Sequence, residues 1–342
     1  HFCRLRMKTW MKTKKERIFY YDFLRAFAII AVIICHVDHF FGPLVGTTQI
    51  VAQMTFHDIG RIGVPIFLMI SGALILNRPY PDLTEFLKKR FTRIIYPFIF
   101  WIILILAQLQ YYRYNEAFLW NTFIGEPSIT WYFWVLIGIY LFLPVLNSFV
   151  KEYGESGLKY FLSIWFILMI LKTFNAYPLW TNFDLSYFAG YVGYPVLGYY
   201  LANKEFKISD SKVCLLGLIT LIASLSVFVY LNYFNSPYIS MIYQNVPIIF
   251  MGTGLFLFVK YLDKLNKFNS IKDNFIGKAI ISLSVCSYGM YFSHVLVVKF
   301  LSYYNPHSHL MFPVMFVLII LLSWLLPYVL SKIPYVKTFS GL

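Results

Sequence analysis

The sequence predicts an all-α integral membrane protein, a bundle of about ten transmembrane helices. Hydrophobic residues make up 59% of its 342 residues and charged residues only 13%. A soluble domain would carry about 25% charged residues, so water is not the main solvent of this chain. Apolar runs of about twenty residues recur from end to end, and each is long enough to cross roughly 30 Å of hydrocarbon.

Polar breaks between the apolar runs divide the chain into ten predicted spans. These spans cover residues 20–41, 58–77, 94–112, 130–150, 158–174, 184–202, 211–233, 241–262, 277–302 and 309–331. Most of the 29 Lys and Arg residues lie in the N-terminal segment, the even-numbered loops and the C-terminus, whereas the odd-numbered loops hold only Arg113 and Lys172. Because basic loops stay on the cytoplasmic side, we expect both termini in the cytoplasm.

One membrane domain accounts for nearly the whole chain. We expect a basic cytoplasmic segment at 1–19, the transmembrane domain at 20–332 and a cytoplasmic tail at 333–342. The net charge of +14 comes from basic residues in short loops, so we expect membrane lipids and no nucleic acid as partners. The four cysteines show neither a disulfide framework nor a C-x-x-C zinc spacing, and we expect no metal.

Residues 81–93 predict a short cytoplasmic amphipathic helix between spans two and three, continuing as far as Pro97. Asp82 and Glu85 are spaced as a capping box, which opens a helix. Apolar residues recur there at helical spacing while four basic residues cluster, namely Lys88, Lys89, Arg90 and Arg93. Such clustered charge can act as a membrane anchor, or it can bind the phosphates of a cytosolic polyanion.

Span one carries an acidic residue, an arginine and a histidine within an otherwise apolar run. The spacing of Arg25 and His36 places them within about 20° of one helix face and about 16 Å apart along it. Asp22 precedes Arg25 by one helical turn, so we expect the two to form an ion pair. Taken singly, each residue is more typical of an anchor or a packed histidine. Their shared face instead favours a polar site where a histidine transfers a proton to or from a hydroxyl.

The arrangement of Arg25, ten residues and His36 resembles the first span of the membrane-bound acyltransferase 3 family. Further segments are similar to motifs of that family in the same order: 63–72 (GVPIFLMISG), 90–97 (RFTRIIYP), 131–134 (WYFW), 198–201 (GYYL) and 287–294 (SYGMYFSH). Residues 135–138 are apolar where relatives fused to secreted esterase-like domains have an acidic residue. The chain therefore resembles the stand-alone branch that modifies surface polysaccharides.

The resemblance implies a multi-pass O-acyltransferase of the plasma membrane, which moves an acyl group, often acetyl from acetyl-CoA, to a hydroxyl of a glycan or similar envelope molecule. It implies acyl-CoA as a co-substrate and no permanently bound cofactor. The implied catalytic residues are His36, Arg25 and Asp22. The implied acyl-CoA contacts are Arg90, Arg93, Lys88, Lys89 and Ser71. We expect Arg25 near the inner mouth of a donor tunnel and His36 where donor and acceptor meet.

Polar and aromatic residues gather on the predicted outer side and suit a glycan acceptor. The candidates are His57, Asp58, Arg61, Trp120, Trp131 and Trp134, together with Asp38, His39, Glu126, Trp180 and Asp184. Indole rings can stack on sugar faces, although tryptophan also forms interfacial belts. His294 matches a family position in an apolar span, so a supporting role competes with simple packing. Lys299 in the same span can extend its amine outward.

A transporter or flippase of lipid-linked glycan precursors is the main alternative. Its ion or proton relay would consist of Asp22, Arg25, Arg61 and His294. A non-catalytic membrane sensor would explain the topology but not the shared face of Arg25 and His36. The absence of a visible inverted repeat in the sequence and the ordered motifs favour the acyltransferase.

Overall fold

A computed structural model of the protein describes most of the chain, and the architecture below refers to that part. The described residues are 17–37, 47–79, 82–125, 130–174, 188, 190–234, 245–304 and 312–342. They form α-helices, and no strand occurs among them, which confirms the prediction of an all-α fold.

The described part of the chain contains twelve helices. In order they are α1 (Phe19–Ile34), α2 (Thr47–Gly60), α3 (Gly63–Ile75), α4 (Leu83–Tyr111), α5 (Glu116–Ile124), α6 (Trp131–Thr173), α7 (Gly193–Asn203), α8 (Asp210–Tyr233), α9 (Val246–Lys264), α10 (Phe275–Tyr304), α11 (Phe312–Leu330) and α12 (Lys337–Ser340).

Helix α1 lies at the centre of the bundle. It packs against α2, α3, α9 and α10, and most of its 16 residues are buried. Asp22 is only 3% exposed, so this carboxylate faces neighbouring helices. A charged side chain inside a membrane bundle needs partners within the protein. Because α1 carries such a side chain, we expect a polar site beside this helix.

The number of membrane crossings differs from the sequence prediction. Within the described ranges, seven helical segments are long and apolar enough to cross a membrane, so the prediction of ten spans is not confirmed. Helices α1 and α7 have 16 and 11 residues, fewer than the roughly 20 that a crossing requires. Predicted spans four and five both lie in α6, which has 43 residues. The backbone of Gly154 is not helical (φ 54°, ψ −137°), so α6 is kinked at this residue. The cytoplasmic location of both termini stays a prediction.

Helix α4 begins as the sequence predicts but extends beyond the predicted end. The side chain of Asp82 caps it by accepting a hydrogen bond from the Thr84 backbone N–H at 2.8 Å. The helix then continues through Pro97 to Tyr111, so no separate amphipathic helix exists at 81–93. Apolar residues on both sides of the proline are buried against other helices, and tertiary packing of this kind lets membrane helices tolerate proline.

Two helices lie at the periphery of the bundle. Only 22% of the most apolar stretch of α8 or α11 is buried, against 61% in α9 and α10. The side chains left exposed on α8 and α11 are mainly leucine, isoleucine and valine. Such surfaces are suited to hydrocarbon and would be unfavourable in water, which agrees with the membrane class that the composition predicts.

Glycines allow α3 and α7 to cross in backbone contact. A Cβ atom added to Gly72 would lie 1.9 Å from the carbonyl oxygen of Pro195, and one added to Gly198 would lie 2.0 Å from that of Met69. Small residues drive helix association in membranes because they permit this close approach. Both glycines belong to motifs that the sequence analysis singled out, and the contact gives those motifs a structural reason.

Candidate active site

A cavity of about 440 Å³ opens beside α1, and we call it the basic cavity. Arg25 of α1 faces Arg90 and Arg93 of α4 across it. The other side chains that line it are mainly hydroxyl-bearing or aromatic, and they are Phe67, Ser71, Ile94, Tyr132, Leu136, Tyr140, Ser287, Tyr288 and Tyr291. Gly341 and Leu342 also border it.

A second cavity of about 640 Å³ adjoins the first, and we call it the mouth cavity. Its polar lining includes Arg17, Tyr21, Asp22 and Arg78. Both cavities are also lined by Arg25, Arg90 and Arg93, which we call the junction arginines. The three guanidinium groups therefore stand where the two spaces meet.

Asp22 does not form the ion pair with Arg25 that helical spacing predicts. It accepts two hydrogen bonds from Arg17, at 2.5 and 2.8 Å, and one from Ser284 at 2.6 Å. The hydrogen bond to Asp22 raises the pKa of Arg17, which precedes α1. With Asp22 occupied, Arg25 makes no hydrogen bond or ion pair to any side chain that the structure describes.

The basic residues of α4 divide into two groups. Arg90 and Arg93 line the cavities, whereas Lys88 and Lys89 are exposed and line neither. Arg90 lies over the ring of Phe86 at 5.6 Å. Neither arginine has a carboxylate partner in the described part of the chain, so the junction carries uncompensated positive charge. Such a group of planar donors is suited to phosphate oxygens, which guanidinium groups bind in pairs.

Two of the tyrosines that line the basic cavity are in ring contact with each other. The rings of Tyr132 and Tyr291 meet edge to face at 5.4 Å, and both side chains are buried. Ser71 lies on the adjoining wall, where its hydroxyl donates to the Phe67 carbonyl at 2.9 Å. Neither tyrosine is predicted as a site residue from the sequence, although each lies in a matched motif and Tyr291 precedes His294 by one helical turn.

A pair of histidines lies behind these tyrosines. The ring centroids of His36 and His294 are 5.1 Å apart, and that of Tyr291 is 6.0 Å from His294. His294 is fully buried, and its Nε2 has no hydrogen-bond partner in the described structure. The sequence analysis left open whether His294 only packs, and the structure brings it to His36.

The backbone determines which nitrogen of each histidine can act as a base. Nδ1 of His36 lies 2.7 Å from the Val32 carbonyl oxygen, and Nδ1 of His294 lies 3.1 Å from that of Met290. A carbonyl oxygen only accepts hydrogen bonds, so each Nδ1 carries the proton. Each Nε2 is then an acceptor, which is the state that a general base requires.

The basic cavity is lined by Arg25 and not by His36. The continuous tunnel expected between these two residues stays a prediction. Helix α1 also ends at Ile34, and His36 lies in the turn that follows it. The link from the cavity to His36 runs through ring contacts of Tyr291 and His294.

Comparison with known families agrees with this arrangement. A family model described as an acyltransferase domain matches residues 18–331. This range includes every residue that lines the two cavities except Arg17, Gly341 and Leu342. The chain belongs to the acyltransferase 3 family. No curated protein and no solved structure matches it.

Among the residues of this acyltransferase that are predicted to meet an acceptor, His57, Asp58 and Arg61 lie in one polar cluster. Asp58 is fully buried and accepts from Asn232 of α8 at 3.1 and 3.2 Å, with His57 at 3.6 Å and Arg61 at 3.9 Å. These contacts join α2 to α8. The thiol of Cys35 donates to the His57 carbonyl at 3.1 Å, so the same cluster fixes the end of α1 beside His36.

Two of the predicted tryptophans of the acyltransferase contact other parts of the protein, whereas Trp120 is 62% exposed. Trp134 donates from Nε1 to the Phe123 carbonyl at 3.1 Å, and Trp131 lies against Tyr191 with ring centroids 5.4 Å apart. Neither lines the basic cavity. The remaining predicted candidates, Asp38, His39, Glu126, Trp180 and Asp184, lie outside the described residues. Within those residues, no group of His, Cys, Asp and Glu is placed to hold a metal ion.

Proposed function

We propose that this acyltransferase moves an acetyl group from cytosolic acetyl-CoA to a hydroxyl of a cell-surface glycan or its precursor. The observation that carries the proposal is the convergence of the junction arginines, without carboxylate partners in the described structure, where two cavities meet. A cation in a bundle of apolar helices is unfavourable unless an anion compensates it. Acyl-CoA is an anion of suitable charge, with a diphosphate and a 3′-phosphate.

The donor fits the two cavities in a definite direction. Its phosphates bind the junction arginines, and the nucleotide occupies the mouth cavity beside Arg17 and Arg78. The pantetheine arm extends along the basic cavity past Ser71 toward Tyr132 and Tyr291. His294 follows Tyr288 by about 9 Å along α10, so the thioester reaches the histidine pair once the tyrosine rings move aside.

The histidine pair supplies the acid–base chemistry. Nε2 of His36 takes the proton of the acceptor hydroxyl as its oxygen attacks the thioester carbonyl. The C–S bond then breaks, and the departing CoA thiolate takes the proton back from Nε2 of His36. His294, buried beside His36, holds the attacking hydroxyl through Nε2. A positioned base of this kind contributes about 100-fold to 10,000-fold in rate.

The proposal also covers the membrane in which the protein acts, its branch of the family and its other partners. The plasma membrane is the site of action, because the donor is cytosolic and the acceptor belongs to the envelope. The apolar residues after Trp134 support the stand-alone branch that modifies surface polysaccharides. Acyl-CoA acts as a co-substrate, and membrane lipids surround α8 and α11.

The test is incubation of the purified protein with radiolabelled acetyl-CoA and cell-envelope glycans. We expect label to move into the glycan fraction, with free CoA released in equal amount. A transporter or flippase would move glycan across a vesicle membrane without any label transfer. Absence of both glycan labelling and acetyl-CoA binding would refute the proposed function.

A further inference from the structure

A third cavity, of about 460 Å³, lies at the far end of α4 and α10 from the junction arginines, and we call it the tyrosine cavity. It is lined by Tyr112, Tyr114, Val298, Lys299, Ser302 and Tyr303. Arg90 and Tyr112 mark opposite ends of α4 and are about 33 Å apart along the helix axis. That distance exceeds the thickness of the hydrocarbon core, and we therefore expect the tyrosine cavity on the other side of the membrane from the mouth cavity.

The aromatic walls of this cavity are held in place. The rings of Tyr112 and Tyr303 stack at 4.1 Å with an angle of 11° between their planes. Gln108 donates from Nε2 to the Tyr112 hydroxyl at 3.4 Å and to the Leu296 carbonyl at 3.0 Å, which joins α4 to α10. Tyrosine faces arranged in this way offer the flat apolar surface and hydroxyl groups that a sugar ring requires.

Lys299 places a positive charge in the same cavity. Its ammonium group lies 5.3 Å from the ring of Tyr114 and 5.9 Å from that of Phe118. It forms no ion pair with any acidic side chain in the described ranges. The aromatic faces alone compensate the charge only partly, so a carboxylate ligand would complete the site.

Helix α10 connects the tyrosine cavity with the histidine pair. One face of the helix carries residues at spacings of three and four, and these are Ser287, Tyr291, His294, Val298 and Ser302. The first two line the basic cavity, and the last two line the tyrosine cavity. His294 lies between them, about 6 Å along the helix from Val298.

We propose that the tyrosine cavity binds the acceptor, and that the acceptor is an acidic glycan whose carboxylate pairs with Lys299. The inference rests on the proposed function, because it assigns the second substrate of that reaction to the side opposite the donor. The sugar stacks on Tyr112 and Tyr303 while the hydroxyl to be acylated points along α10 toward His294. Donor and acceptor then approach the histidine pair from opposite ends of the same helix face.

The test uses the full-length protein in lipid nanodiscs and two probes, tetragalacturonate as an acidic glycan and maltotetraose as a neutral one. Binding of each is measured by calorimetry beside binding of acetyl-CoA. We expect the wild type to bind tetragalacturonate at least tenfold more tightly than maltotetraose. Lys299→Met should remove this preference, and Lys299→Arg should retain it.

Two further measurements distinguish a failure of the acceptor assignment from a failure of the proposed function. Lys278→Met changes an exposed lysine near the start of α10 and should keep the preference for tetragalacturonate. Acetyl-CoA should bind the Lys299→Met protein as tightly as the wild type, which shows that the variant is folded. If acetyl-CoA binds but the wild type binds both glycans equally or neither, the acceptor assignment is overturned while the proposed function stands. If acetyl-CoA does not bind the wild type, the proposed function itself fails.

Discussion

His36 and His294 lie with their ring centroids 5.1 Å apart, although one follows the end of α1 and the other lies within α10. Both rings use Nδ1 to donate to a backbone carbonyl one turn earlier in their own segment. The two Nε2 atoms are therefore both acceptors. The pair joins the end of α1 to α10, the helix whose residues line both the basic cavity and the tyrosine cavity.

His36→Ala should reduce acyl transfer about 100-fold or more while leaving membrane insertion intact, because the variant removes a base and no apolar surface of the span. The measurement is label transfer from acetyl-CoA, together with the amount of protein in the membrane fraction. Phe275→Ala, at an exposed position of α10, is the control and should keep full activity. Near wild-type transfer in the His36 variant would remove this residue from the mechanism.

Replacing Arg90 and Arg93 together with Gln should weaken acetyl-CoA binding by about a hundredfold or more, since each charge-assisted hydrogen bond contributes about 1.5–3 kcal/mol. Calorimetric titration of acetyl-CoA measures the effect, and the affinity for the acceptor should change little. Lys88 and Lys89 lie on the same helix but outside both cavities, so changing them to Gln is the matched control. Equal losses in the two double variants would mean that general positive charge, not the junction, binds the donor.

Gly72→Ala should destabilise the protein by about 1–3 kcal/mol, because the added methyl group overlaps the Pro195 carbonyl oxygen. The measurement is the thermal unfolding midpoint in detergent. Gly138→Ala is the matched control, since a Cβ atom there meets no atom within 4 Å and alanine favours a helix by about 1 kcal/mol. Similar midpoints for the two variants would contradict the backbone contact between α3 and α7.

Lys260→Met should lower the unfolding midpoint, because the buried ammonium group caps the end of α7. It donates to the carbonyls of Leu201 at 3.0 Å and Lys204 at 3.1 Å, and leaving these acceptors unpaired costs about 1–3 kcal/mol each. The control is Lys264→Met, which removes exposed ion pairs with Glu205 and Asp210 and should have a smaller effect. A larger loss of stability in the Lys264 variant would show that the cap contributes little.

Local patterns were enough to single out three arginines that the structure brings together. The basic cluster, the span-one arginine and the ordered motifs pointed to Arg25, Arg90 and Arg93, and all three lie at one junction. Charged side chains in an apolar bundle must face protein or water, which is why they could be picked out from the sequence. Their role in binding a donor stays a prediction.

Sequence patterns did not predict the contacts between segments that are distant along the chain. Helical spacing assigned Asp22 to Arg25, but its partners are Arg17, which precedes the helix, and Ser284 of α10. The acceptor residues were predicted from polarity alone, and Asp58 proved to be a buried link between α2 and α8. Pairing of His36 with His294 depends on the packing of α1 against α10, which no local pattern specifies.

Electron cryomicroscopy of the protein with a non-hydrolysable acetyl-CoA analogue tests the central claim most directly. The account predicts phosphate density within hydrogen-bonding distance of Arg25, Arg90 and Arg93. It also predicts that the Tyr132 and Tyr291 rings are displaced, with the acetyl group beside His36 and His294. Density for the analogue elsewhere, or an acetyl group remote from both histidines, would contradict the account.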